Sequence, residues 1–171
     1  MLDLKFDFKR SLQAAAYLVR LNGGRMNFTR LLKLLYIAER EWMVKTSDPI
    51  TGDRIFAMKK GPVLSTILKL IHQEDHRSSV WSGYIQTVEN DVVLVGDPGD
   101  GRLSDGIVAK LEEVFNRYRD VETFKWTRTS KPLYKLTHEF PEWEWNDPAK
   151  FGCRRKHIPW QDVFKAQGRE K

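Results

Sequence analysis

Few side chains in this chain combine a type and a spacing suited to chemistry. His72 and His76, in the run HQEDH, have the i, i+4 spacing that lets one helix face offer two imidazoles to a metal ion. A zincin carries its general base beside the first histidine, but that position is Gln73. The pair reads as polar residues at a helix terminus, and no metal is expected. Gly96, Gly99 and Gly101 sit in the run GDPGDG, which resembles a phosphate loop only if Asp97 and Asp100 are ignored; the aspartates repel phosphate, so the run reads as a turn. Cys153 lies next to Arg154, Arg155, Lys156 and His157, a setting that lowers a thiol pKa, yet no His/Asn or His/Asp arrangement supports a nucleophile. Glu139, Glu142 and Glu144 fall in a segment without periodicity and read as solvated charges rather than an acid/base couple. The residues therefore lead to a binding protein, with an enzyme as the least favoured class and no cofactor expected.

Charge gives a second kind of candidate. Residues 1–60 hold 12 Lys/Arg against 6 Asp/Glu, whereas the remainder holds 17 against 17, so the whole net charge of +6 lies in the first third. Arg25, Arg30, Lys33 and Arg40 give that third a basic edge suited to an acidic protein or to nucleic acid, although no zinc-finger or RNA-recognition signature accompanies them. The alternative is a solvated face of two amphipathic helices. The single cysteine excludes a disulfide framework and a cysteine-based zinc ribbon, as expected in a reducing compartment. No apolar run is long enough to span a membrane, and charges interrupt the N-terminus where a signal peptide would need an apolar stretch. A soluble cytoplasmic protein is expected.

The element that must position these groups is residues 27–45, NFTRLLKLLYIAEREWMVK. On a helical wheel Phe28, Leu31, Leu32, Leu35, Ala38 and Trp42 form one stripe, and Leu34 and Ile37 extend it to a second side, so this helix needs neighbours on two sides. Glu39 falls inside the stripe and requires a partner, with Arg54, Lys59 and His138 as candidates. A first helix starts after Asp7, buries Phe8, Leu12, Ala15 and Val19, and stops at Asn22-Gly23-Gly24, forming a helical hairpin with the central helix. A short extended segment over residues 55–58 precedes Gly61-Pro62-Val63, where proline in the first turn opens a third helix. Residues 80–88 and 92–96 read as a β-hairpin lying on the helices or pairing with residues 55–58. Ser104 caps a fourth helix, a fifth covers residues 131–138, FPEWEWNDPAKFG reads as an ordered loop packed by its tryptophans, and Ile158-Pro159-Trp160 opens a last short helix before a fraying end at residues 167–171. The fold class is α+β, predominantly α: one compact domain over residues 1–171 around a central helix, with a small hairpin over about 80–96.

Three segments in order resemble one family: Lys33-Leu34-Leu35-Tyr36 followed by Ala38 and Glu39, then Gly61-Pro62-Val63, then Leu136-Thr137-His138-Glu139 with Trp143. The chain resembles the Panacea domain, the SocA-like antitoxin domain also found in phage-associated proteins, over about residues 11–143; the tail from residue 147 matches less well. The resemblance implies the antitoxin of a bacterial or phage toxin–antitoxin pair, neutralising a cognate toxin by direct protein–protein binding, with no settled catalytic activity. The motif segments are expected to meet around the central helix, with Pro62 and Val63 packing and His138 filling a half-buried polar site. Candidates for the partner surface are Arg30, Arg40, Trp81, Tyr84, Trp143, Trp145 and Trp160, because aromatic residues and arginine concentrate at hot spots; at least half of the aromatics are expected in the core. The alternative function is a nucleic-acid-binding autorepressor that uses the basic first third. The toxin's identity and the oligomeric state are not legible.

Overall fold

A computed structural model describes residues 4–168. Helix α1 (Phe8–Leu21) starts at Asp7, whose carboxylate accepts from the Arg10 N–H at 2.9 Å, and ends at Asn22. Gly23 and Gly24 both take positive φ, which turns the chain sharply at little steric cost. The turn lays strand β1 (Arg25–Asn27) ahead of helix α2 (Phe28–Thr46), and the Asn27 side chain caps that helix by accepting from the Thr29 and Arg30 N–H groups. Every residue of α2 from Leu31 to Arg40 is buried, as its two-sided apolar pattern requires. Strands β2 (Ile55–Met58) and β3 (Gly61–Leu64) follow, then helices α3 (Ser65–Ile71) and α4 (Ser78–Trp81). Strands β4 (Ile85–Val88) and β5 (Asp91–Leu94) precede helix α5 (Asp105–Arg117), which Ser104 caps by accepting from the Ile107 N–H. The remaining elements are α6 (Leu133–His138), α7 (Pro141–Trp145), α8 (Pro148–Phe151), β6 (Arg155–Ile158) and α9 (Trp160–Ala166). The result is a helix-dominated α+β fold with two small antiparallel sheets, ordered β1-β5-β4 and β3-β2-β6. No helix among the described residues is long and apolar enough to cross a membrane.

Several elements differ from the sequence expectation. Gly61-Pro62-Val63 opens no helix. Gly61 has φ +109° in the tight β2–β3 turn, and Pro62 pairs with Ala57 in an edge strand, where its missing N–H breaks no interior ladder. The second hairpin is shorter than residues 80–96: residues 78–81 make a helical turn that buries Trp81 completely, and Ile85 starts the strand. Nor does that hairpin pair with β2. The Gly23-Gly24 turn brings Arg25 opposite Val93, so β5 pairs with β1. FPEWEWNDPAKFG is two short helices, each with proline at its first position, a site that needs no N–H. Strand β6 was not anticipated; it pairs with β2 from Ile55↔Ile158 to Met58↔Arg155 and ties the C-terminal segment into the first sheet. Ile158, Trp160, Val163 and Phe164 are buried in the common core. Of the end expected to fray, Gln167 closes α9 through backbone hydrogen bonds, and residues 169–171 lie outside the described residues.

Glu39 is fully buried, and none of Arg54, Lys59 or His138 is its partner. Its Oε1 accepts from the Ile50 N–H, and its Oε2 accepts from the Thr51 N–H at 2.9 Å, the Gly52 N–H at 3.0 Å and the Thr51 hydroxyl. Burial raises its pKa, and these four bonds pull it back down. The same loop has its carbonyls taken from the other side: the Asp7 N–H donates to Thr51 O at 2.8 Å and Arg10 Nε donates to Ile50 O at 2.6 Å. A Cβ on Gly52 would lie 2.1 Å from Lys5 O, so only glycine fits between the loop and the N-terminal segment. Next along the chain, Asp53 is 2 % exposed and accepts from the Arg54, Thr66 and Ile67 N–H groups, which fixes the start of α3. Replacing Glu39 by alanine orphans three backbone donors in a buried loop. Urea melts of Glu39→Ala should show a loss of about 3–5 kcal/mol, with a lower midpoint than the wild type.

Candidate functional site

Lys33, Tyr36 and Arg40 follow one another at spacings of three and four on α2, so their polar tips share one side of the helix. That side faces the β2–β3 turn and the C-terminal helices. Lys33 is 1 % exposed, and its Nζ donates to Pro62 O at 2.9 Å, with no carboxylate in ion-pair range among the described residues. Burial pulls the pKa of its amine from the ordinary 10.5 down to about 7.

The turn that Lys33 reaches is held at two further carbonyls. Trp143 Nε1 donates to Met58 O at 2.9 Å, and His138 Nε2 lies 2.6 Å from Lys59 O. The other ring nitrogen of His138 lies 2.7 Å from Tyr134 O. Carbonyl oxygens only accept, so both contacts are hydrogen bonds at once only when each ring nitrogen carries a proton. The His138 and Trp143 rings meet edge to face with centroids 4.4 Å apart. Gly61 closes the arrangement: a Cβ there would lie 2.8 Å from Lys33 Nζ and 2.9 Å from Thr137 Oγ1. Side chains from three separate segments thus grip one surface turn through the carbonyls of Met58, Lys59 and Pro62.

Below the grip lies a buried ion pair. Glu142, read from sequence as a solvated charge, is fully buried at the start of α7. Its Oε2 accepts from Arg40 Nε at 2.6 Å and from the Tyr36 hydroxyl at 2.5 Å, and its Oε1 accepts from Arg40 Nη2 at 3.0 Å. The guanidinium stacks over Phe140 at 4.0 Å. Burial pushes the Tyr36 hydroxyl well above its ordinary pKa, and the Glu142 charge pushes it further, so Tyr36 stays a donor. Glu142 reads as solvated in sequence because it stands in a run of alternating acids and aromatics with no helical period around it. On α2 Arg40 continues the face of Lys33 and Tyr36, and there it meets Glu142.

The other candidates are dispersed. Leu34 and Leu35 are core, and Val63 is buried beside the turn. Arg40, Trp81 and Trp160 were partner candidates but are buried in the chain itself, Arg40 by its ion pair and the tryptophans by core packing. Tyr84 and Trp143 are half-buried, so two of the five aromatic candidates are core, short of the half expected; Trp145 is exposed under the Lys165 ammonium. Arg30 donates to Tyr118 O, Val121 O and Thr123 Oγ1, closing the loop after α5 rather than facing a partner. Arg20 and Arg25 are paired with Asp97 and Asp91, so the basic edge of the first third is largely neutralised or turned inward. His72 packs edge-on against Phe28, His76 is beside Asp75, and the described residues contain no group of three or more metal-ligating side chains.

Together these features define a helix-dominated α+β domain whose exposed β2–β3 turn is firmly held. The model of one family, described as antitoxin SocA-like, Panacea domain, matches residues 31–144, two-thirds of the chain, and the protein belongs to that family. The match starts at Leu31 rather than near Ser11, and it includes every residue of the grip. No curated protein and no solved structure matches the chain.

Two variants test the grip. In the window between about pH 7 and pH 10.5 the unfolded chain holds a proton on Lys33 that the folded chain has released. The stability of the wild type relative to Lys33→Met should therefore rise with pH across that window, by up to about 1.4 kcal/mol per pH unit, and level off below pH 7 in paired urea melts. Gly61→Ala combines a positive φ with a clash against Lys33 and Thr137, and thermal melts should show a loss of at least about 1–3 kcal/mol.

Proposed function

We propose that this chain neutralises a cognate toxin by direct protein–protein contact, as the antitoxin of a bacterial or phage toxin–antitoxin pair acting in the cytoplasm. The family match over residues 31–144 carries the reading. The geometry supports it in kind: the polar side chains of the signature segments are engaged in hydrogen bonds and ion pairs within the chain, which builds a rigid support for a surface. Rigid presentation of the β2–β3 turn reduces the ordering cost of association. A nucleic-acid role resting on the first third has less support, since Arg20, Arg25, Arg30, Lys33 and Arg40 are all engaged within the chain.

Co-expression with the protein encoded beside this chain's gene tests the reading. The neighbour should arrest growth when expressed alone, and the chain should restore growth and co-purify with it. A toxic neighbour that is neither rescued nor retained would exclude this antitoxin pairing.

A further inference from the structure

The turn held by Lys33, His138 and Trp143 stands at the mouth of a groove of about 540 Å³. Met58, Trp143, Pro148 and Ala149 give the groove an apolar lining, and the exposed side chains of Lys59 and Arg154 flank it. Lys60 is next to Lys59 in the turn, and Arg155 is opposite Met58 across the β2–β6 ladder, so four cations crowd one end of this sheet. None of the four has a carboxylate in ion-pair range among the described residues. Arg155 instead stacks on Phe56 at 3.8 Å and donates to Ser65 Oγ. The one carboxylate lining the groove, Asp147, is already committed: its Oδ1 accepts from the Ala149 N–H at 3.0 Å as the cap of α8.

Like charges brought together at a solvent boundary repel, and a partner of opposite sign relieves that repulsion on binding. The backbone of the turn that carries Lys59 is held at Met58 O and Lys59 O. The apolar lining asks for apolar side chains, and the cations beside it ask for carboxylates. A nucleic-acid strand would satisfy the cations but needs an open aromatic face for its bases. Trp143 instead lies half-buried against the His138 ring, with its N–H turned to Met58 O.

We propose that this groove is the docking surface, and that its occupant is a segment of the cognate toxin in which carboxylates flank apolar side chains. This inference rests on the antitoxin reading and adds to it the site and the chemistry of the partner segment.

The test uses the full chain and the toxin encoded beside it. Cys153 lines the same groove, is exposed and is the chain's single cysteine, so its alkylation by N-ethylmaleimide reports occupancy directly. The toxin should slow that alkylation at least about 10-fold, and Lys59→Glu/Arg154→Glu should weaken binding at least about 10-fold while leaving the urea midpoint unchanged. Reversing the exposed Lys9 and Lys45 on the helices should leave affinity within about twofold. A toxin that binds the double variant as well as the wild type, with Cys153 alkylated at its free rate, would overturn the groove while leaving the antitoxin reading standing. A toxin that never binds the wild type would remove both. A 20-nucleotide single-stranded DNA that protects Cys153 where the toxin does not would assign the groove to nucleic acid instead.

Discussion

The buried carboxylate of Glu39 is the constraint on which the rest of the fold depends. A charged group at the centre of the most buried helix is stable only if its desolvation is offset by donors held at the right distance. The chain meets that demand with backbone N–H groups of residues 50–52, so the loop after α2 has to fold back along the helix instead of leaving it. Once the loop is there, its outward carbonyls accept from Asp7 N–H and Arg10, which sets the start of α1, and Asp53 fixes the start of α3. One side chain thereby sets the relative placement of three helices and the point from which β2 departs.

The other side of α2 works on the same principle with opposite sign. Lys33 and Arg40 carry basic groups into the interior, the amine donating to a carbonyl and the guanidinium held by a bidentate carboxylate. Such groups contribute little net stability compared with apolar residues of the same volume, but they tolerate few alternative arrangements, because any shift leaves a buried donor or charge unmatched. The arrangement they enforce is the attachment of α6 and α7 to the β2–β3 turn. The grip is thus a specification of position more than a source of stability.

What was legible in the sequence follows a physical line. Local signals were legible: Asp7 and Ser104 at helix starts, Gly23-Gly24 as a stop, and the two-sided apolar pattern of α2. That Glu39 needs a donor from outside its helix also followed from its place in the stripe. Its donors did not, because backbone N–H groups carry no residue-type signature, and the sequence drew attention to charged side chains. Glycine and proline at 61–62 serve a helix start or a tight hairpin equally well, and tertiary pairing with residues 55–58 decided between them. Strand β6 has the composition of an exposed basic run and becomes a strand only because β2 offers it an open edge. Glu142 and Arg40 each look like surface charges until the fold brings them together, since the pairing spans about a hundred residues and neither local pattern marks it.

The position of β6 bears on how the molecule is made. β2 and β3 can pair as soon as residue 64 has been synthesised, but the central strand of that sheet keeps one edge unpaired until residues 155–158 emerge near the end of the chain. An unpaired edge is the part of a nascent protein most open to wrong pairing. Arg155 and Lys156, which discourage such pairing by charge, arrive only with the strand that closes the edge. Synthesis interrupted before residue 155 therefore leaves the central helix complete and one edge of β2 uncovered.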